Sequence, residues 1–138
     1  MKQILFIEDE SALQKTVGEV LRQEGFEVLP ALNGEIGIRL AKEKKPDLII
    51  VDLVLPKRNG FEVIEDLKED EGTKDIPIIV LTNLEDLKGI QRAIDLGATT
   101  YLVKSNYRLE EVVEKIKGVL KPWKLKTSSW KPFSWMRG

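Results

Sequence analysis

Apolar positions along the first 120 residues alternate between short unbroken runs and longer stretches at helical spacing. The run ILFI at 4–7 is short, branched and aromatic, and it stops at Glu8, Asp9 and Glu10, the pattern of a buried strand leaving into a polar loop. Ser11 is placed to cap a helix that carries Leu13, Val17, Val20 and Leu21 on one face and closes at Gly25. Residues 26–29 predict a second strand, and Asn33 caps a helix over about Gly34–Lys44 with Ile36, Ile38, Leu40 and Ala41 apolar. Residues 48–53 form the strongest strand. Their continuous apolar character, interrupted only by Asp52, requires burial on both faces, as in a parallel sheet. Phe61, Val63, Ile64 and Leu67 predict a third helix ending near 70–72, and Pro77 opens a fourth strand through Leu81. Residues 84–96 read as helix up to Gly97, Thr100–Val103 as a fifth strand, and Leu109–Leu120 as a fifth helix with Val112, Val113, Ile116, Val119 and Leu120 inward. Strict alternation of strand and helix predicts a doubly wound parallel α/β sheet.

A length of 138 residues suits one domain, and 42% hydrophobic with 33% charged residues argues against global disorder or a coiled-coil rod. No apolar run approaches the roughly 20 residues needed to span a bilayer, and the N-terminus lacks a signal-peptide pattern, so a cytoplasmic location is expected. The chain has no cysteine and no histidine, which excludes disulfides, thiolate or imidazole metal sites, and Cys or His nucleophiles. Charge is unevenly spread. Residues 1–120 hold 17 basic and all 23 acidic residues, whereas 121–138 hold 5 basic and no acidic residues together with all three tryptophans, Trp123, Trp130 and Trp135. The chain therefore divides into an acidic domain, 1–120, and a basic aromatic tail, 121–138.

In a doubly wound sheet, function gathers outside the carboxyl ends of the strands, where strand order reverses. Those ends carry Glu8, Asp9 and Glu10 after the first strand, Asp52 at the third, Thr82 after the fourth and Lys104 after the fifth. Singly, each has an ordinary use: an Asp at a strand end caps or turns, a Thr caps, a Lys is solvated. Together they make a coherent set. Clustered carboxylates repel, and such a cluster raises a pKa or recruits a cation. Without His or Cys nearby, a hard oxygen-seeking ion such as Mg²⁺ fits best. A metal-bound carboxylate, a hydroxyl and a lysine could hold the oxygens of a phosphoryl group, with Asp52 as the nucleophile activated by position and metal.

The stretches ILFIEDE, LIIVDLVLPKRNGFEVI, IPIIVLTN and GATTYLVKS resemble, in order, those of the CheY-like receiver domains of bacterial two-component signalling, across residues 1 to about 120. The resemblance implies a flavodoxin-like sheet of five strands in order 2-1-3-4-5. It further implies that Asp52 accepts a phosphoryl group from a phosphohistidine on a histidine kinase or phosphotransfer protein. Asp9 would be a direct Mg²⁺ ligand, Glu8 a water-mediated one, and the Val54 backbone carbonyl would complete the protein ligands beside Asp52. Thr82 and Lys104 would bind phosphoryl oxygens, Tyr101 would turn inward as Thr82 moves, and Pro56 and Gly60 match the loop after the phosphoacceptor. The chain would then be a phosphoacceptor that promotes its own phosphorylation and dephosphorylation rather than an enzyme acting on a separate substrate. One position departs from the pattern. Ser105 stands where the family usually has a proline after a cis bond, and a cis bond before a non-proline residue costs about 3 kcal/mol. Val54 and Leu84 are apolar at positions that flank the approach of water in receivers, so slow self-dephosphorylation is expected.

No effector domain follows residue 120, so output is expected through the receiver surface, the tail, or both. The resemblance points to the face made by the fourth helix, fifth strand and fifth helix as the contact for a downstream protein, and leaves a dimer open. The tail mixes Lys, Trp and Pro without helical periodicity, which suits a terminus without function, a membrane interface, stacking on bases, a partner groove, or attraction to the acidic domain itself or to that of a neighbouring copy. An alternative is therefore a constitutive binding module whose tail engages nucleic acid or anionic membrane. A nucleotide-binding or metabolic enzyme is disfavoured, since there is no G-x-G-x-x-G or P-loop. An Asp-nucleophile phosphatase commonly needs a second Asp two residues on, where Val54 stands.

Overall fold

The computed structural model describes residues 1–83, 86–104 and 108–120. The tail 121–138, Leu84 and the Lys104–Ser105 bond lie outside the described residues. The elements alternate as expected: β1 (Gln3–Ile7), α1 (Ser11–Gln23), β2 (Glu27–Ala31), α2 (Gly34–Lys44), β3 (Leu48–Asp52), α3 (Gly60–Glu69), β4 (Ile78–Thr82), α4 (Leu87–Leu96), β5 (Thr100–Val103) and α5 (Leu109–Leu120). All pairings are parallel and the order is β2-β1-β3-β4-β5, the flavodoxin-like order expected.

Each central strand buries both faces. Every residue of β3 and β4 is buried, which is why they appear in sequence as unbroken apolar runs. Side chains alternate across the pleat and feed two cores. Ile4, Phe6, Ile50, Ile79 and Leu102 pack against α1 and α5, while Leu5, Ile7, Val51, Ile78 and Val80 pack with α2, α3 and α4. The second strand runs to Ala31, two residues past the expected end. Pro30 is tolerated there because β2 is an edge strand and lacks a second neighbour to demand its missing N–H.

Two helix starts differ from the expectation. Ser11 does not cap α1: it is the first helical residue, Glu10 occupies the cap position, and no side chain bonds the first turn. The Glu10 N–H donates instead to Glu8 Oε2 at 3.0 Å, so a carboxylate from the end of β1 organises the entry. α4 starts at Leu87 because Asp86 caps it, its Oδ1 accepting from Gly89 N at 2.9 Å. Asn33 caps α2 as expected, accepting from Ile36 N at 2.8 Å, and Asn59 forms a reciprocal capping box with Glu62.

Close packing explains one glycine that helix propensity alone would discourage. A Cβ at Gly37 in α2 would overlap Ile7 Cδ1 and lie 2.8 Å from its Cγ1. Gly118 in α5 is exposed, with nothing among the described residues within 4 Å of such a Cβ. Gly118→Ala is expected to raise unfolding free energy by roughly 0.5–1 kcal/mol through helix propensity, and Gly37→Ala to lower it by about 1–3 kcal/mol through overpacking. Urea denaturation reads both; a stabilising Gly37→Ala would contradict the packing described.

Candidate functional site

Parallel strands end at the same edge, and the order reverses between β1 and β3, so the carboxyl ends of the inner strands border one crevice. Into it project Glu8 and Asp9 just beyond β1, Asp52 as the last residue of β3, Thr82 as the last of β4, and Lys104 just beyond β5. Glu8, Asp9, Asp52, Val54, Thr82 and Lys104 line a pocket of about 370 Å³, together with Asn83 and Asp86. The sequence-predicted set is therefore brought together, Tyr101 apart.

Each side chain is held by its element. The Asp52 Oδ1 accepts from Val54 N at 3.1 Å, and its Oδ2 accepts from Lys104 Nζ at 2.8 Å. The backbone of Lys104 is anchored by its N–H to Thr82 O at 2.7 Å, which brings the lysine alongside β4. α3 begins hard against the end of β3: a Cβ on Gly60 would lie 2.6 Å from both Asp52 O and Leu53 Cα, so glycine sets how closely the loop after Asp52 folds back. Among the described residues the Thr82 hydroxyl has only a 3.5 Å contact with Asn83 O, at the limit of a hydrogen bond, and so no firm partner. Val54 stands at the rim with its side chain largely exposed. Tyr101 lies outside the pocket. It is 39% exposed, its carbonyl accepts from Lys115 Nζ at 3.0 Å, and that ammonium stands 5.6 Å from the ring centroid.

The electrostatics are those of a crowded anionic site. Glu8 and Asp52 are buried, Asp9 is exposed, and one oxygen of each lies within 4.8 Å of the others. Burial pushes the Glu8 carboxyl up to about 7; the Glu10 N–H opposes this, and the neighbouring Asp52 charge adds to it. Burial pulls the Lys104 ammonium down, but the hydrogen bond and charge of Asp52, with Glu8 behind them, outweigh it and raise its pKa. Glu8 Oε1 is buried without a hydrogen-bond partner among the described residues; Lys104 Nζ stands 3.4 Å away, a charge contact without hydrogen-bond geometry. Three hard carboxylates, one with an orphaned oxygen, and no nitrogen or sulfur ligand make a donor set that fits Mg²⁺.

Sequence reasoning missed Gln14. It is buried on α1, and its Nε2 lies within hydrogen-bonding range of Phe6 O at 2.7 Å, Ala31 O at 3.1 Å and Glu8 O at 3.3 Å, tying the ends of β1 and β2 to the helix. The available signal was its spacing. A glutamine in register with Val17 and Leu21 on the apolar face must satisfy its amide internally.

Comparison with known proteins bears on this pocket. The sequence profile of the response regulator receiver domain matches residues 4–117. The chain is 38% identical over 121 residues to the DNA-binding dual master transcriptional regulator RpaA of Synechocystis, covering 88% of this chain and 50% of that protein. It is 35% identical over 120 residues to the phosphate regulon transcriptional regulatory protein PhoB of Pseudomonas aeruginosa, covering 87% and 52%. The chain thus spans about half the length of these relatives. The crystal structure of a putative response regulator from Chloroflexus aurantiacus superposes with a TM-score of 0.83 at 28% identity, covering 88% of this chain and 98% of that one.

The raised Glu8 pKa predicts a pH dependence. Its ordinary value is 4.5 and its folded value about 7, so between these the folded protein keeps a proton that the unfolded chain has released. The contribution is complete below 4.5 and is lost as pH rises through 7, by up to roughly 3 kcal/mol. No histidine titrates in that window. Urea unfolding without divalent cations should give lower stability at pH 7.5 than at pH 5, and Glu8→Gln should flatten the difference; an undiminished difference in that variant would contradict the assignment.

Proposed function

Because the chain belongs to the response regulator receiver domain family of two-component signalling, we propose that Asp52 is its phosphoacceptor. The observation that carries the reading is the buried Asp52 carboxylate, held by Val54 N on one oxygen and by Lys104 Nζ on the other, beside two further carboxylates. In the transfer, an Asp52 oxygen attacks the phosphorus of a phosphohistidine, the P–N bond breaks, and the imidazole leaves with the bonding electron pair. The donor is another molecule, a histidine kinase or phosphotransfer protein, since this chain has no histidine. A cytoplasmic setting follows from that partner. Among the described residues no helix is long and apolar enough to cross a membrane.

Asp9, Asp52, the Val54 carbonyl and, through water, Glu8 would hold Mg²⁺. When bound, the ion supplies positive charge against the entering phosphoryl oxygens. Lys104 gives up part of its contact with Asp52 to bind one phosphoryl oxygen, and the Thr82 hydroxyl, without a firm partner among the described residues, swings to another. Tyr101, exposed in the described state, then turns inward, altering the face made by α4, β5 and α5. Exposed Leu87 and Ile94 on α4 give that face the apolar character of a contact surface for a downstream protein. The chain is a phosphoacceptor rather than a conventional enzyme, and its part in hydrolysing the acyl phosphate is slow because Val54 gives an attacking water no polar partner at the rim.

Incubation with a small-molecule phosphodonor and Mg²⁺ should add one phosphoryl group, seen by intact mass, and Asp52→Asn should abolish it. Val54→Asn should shorten the lifetime of the adduct several-fold. Equal labelling of the Asp52→Asn chain would end the proposal.

A further inference from the structure

On the opposite face of the sheet from α2, α3 and α4, the helices α1 and α5 leave a groove that the phosphoryl site does not use. Val20, Leu109 and Val113 form its apolar floor, Glu24, Glu110 and Glu114 its rim, around a cavity of about 330 Å³. All three glutamates are exposed. One end is tied by Lys117 Nζ on Glu24 Oε1 at 2.9 Å, which fixes α5 against α1. Among the described residues no cation pairs with Glu110 or Glu114. An apolar floor under an acidic rim calls for an occupant that is both aromatic and basic.

The chain itself supplies that chemistry. Residues 121–138 follow α5 directly and carry five basic residues, no acidic ones, Phe133 and every tryptophan of the protein. Reach is ample: Val113 lies about 10 Å back along α5 from Leu120 at 1.5 Å per residue, whereas a segment of this length extends up to about 60 Å. We propose that the α1/α5 groove is the docking site for the chain's own tail, residues 121–138, with tryptophan side chains over Val20, Leu109 and Val113 and lysines against Glu110 and Glu114. Docked, the tail neutralises the acidic rim and covers this face, so any partner for α1 and α5 has to displace it.

Two features of the sequence make the test clean. All the tryptophan emission comes from the tail, and the absence of cysteine allows a single nitroxide label wherever one cysteine is introduced. The full 138-residue chain is labelled at Gln23→Cys, next in sequence to the groove residue Glu24 and not itself lining the groove, or at Glu43→Cys on α2, across the sheet. Docking predicts strong loss of tryptophan emission with the label at 23 and little at 43, independent of protein concentration. Adding E110K and E114K to the Gln23→Cys chain should restore the emission, as should high salt. Equal emission at both positions would overturn the proposal. Quenching that grows with concentration would assign the groove to the tail of a second copy and overturn the intramolecular reading, and quenching that survives the charge reversal would place the tail elsewhere.

Discussion

Lys104 Nζ lies 2.8 Å from Asp52 Oδ2 and 3.4 Å from Glu8 Oε1, and among the described residues it is the one ammonium that offsets the repulsion among three carboxylates with an oxygen of each within 4.8 Å of the others. One positive charge is not enough for three negative ones. Burial does most to push the Glu8 carboxyl up to about 7, the neighbouring Asp52 charge adds to it, and Glu8 Oε1 has no hydrogen-bond partner among the described residues. A parallel sheet makes the crowding unavoidable, because the inner strands deliver their last side chains to one edge. Such a cluster is a donor set that fits a divalent cation, and until a cation is bound its negative charge would repel an anionic phosphoryl group.

The supporting structure exists to keep that edge in place. Gln14 fastens the ends of β1 and β2 to α1, the Lys104 N–H ties the exit of β5 to the end of β4, and Gly60 lets α3 begin against Asp52. Among the described residues Thr82 has no firm hydrogen bond in the pocket, and the Tyr101 ring lies outward near Lys115. In the switch proposed for this site, the added phosphoryl oxygens would be new partners for Thr82, and its movement would reposition Tyr101.

Much of this was legible in the sequence because burial on both faces leaves an unambiguous mark. Residues 48–52 and 78–82 are wholly buried and read directly as strands, and the acid, hydroxyl and lysine at the strand ends stand out because they interrupt apolar runs. Tertiary context decided what was not legible. Pro30 reads as a strand end but lies within an edge strand; Ser11 reads as a cap but yields to the Glu8 carboxylate; the role of Gln14 depends on carbonyls 6, 8 and 31, brought together only in the fold. The spacing of Gly37 likewise gives no hint of Ile7 pressed against it. Local pattern specified the elements, while long-range contacts specified the terms on which they meet.

The account turns on Asp52 accepting a phosphoryl group whose oxygens Thr82 and Lys104 then share. A crystal structure of the chain with Mg²⁺ and the phosphoryl mimic BeF₃⁻ tests it most directly. The predicted result is a fluoroberyllate bonded to an Asp52 oxygen, contacted by Thr82 Oγ1 and Lys104 Nζ, with the ion against Asp9 and Asp52 and the Tyr101 ring turned inward. An unmodified Asp52 still paired with Lys104, or an adduct on another carboxylate, would contradict it.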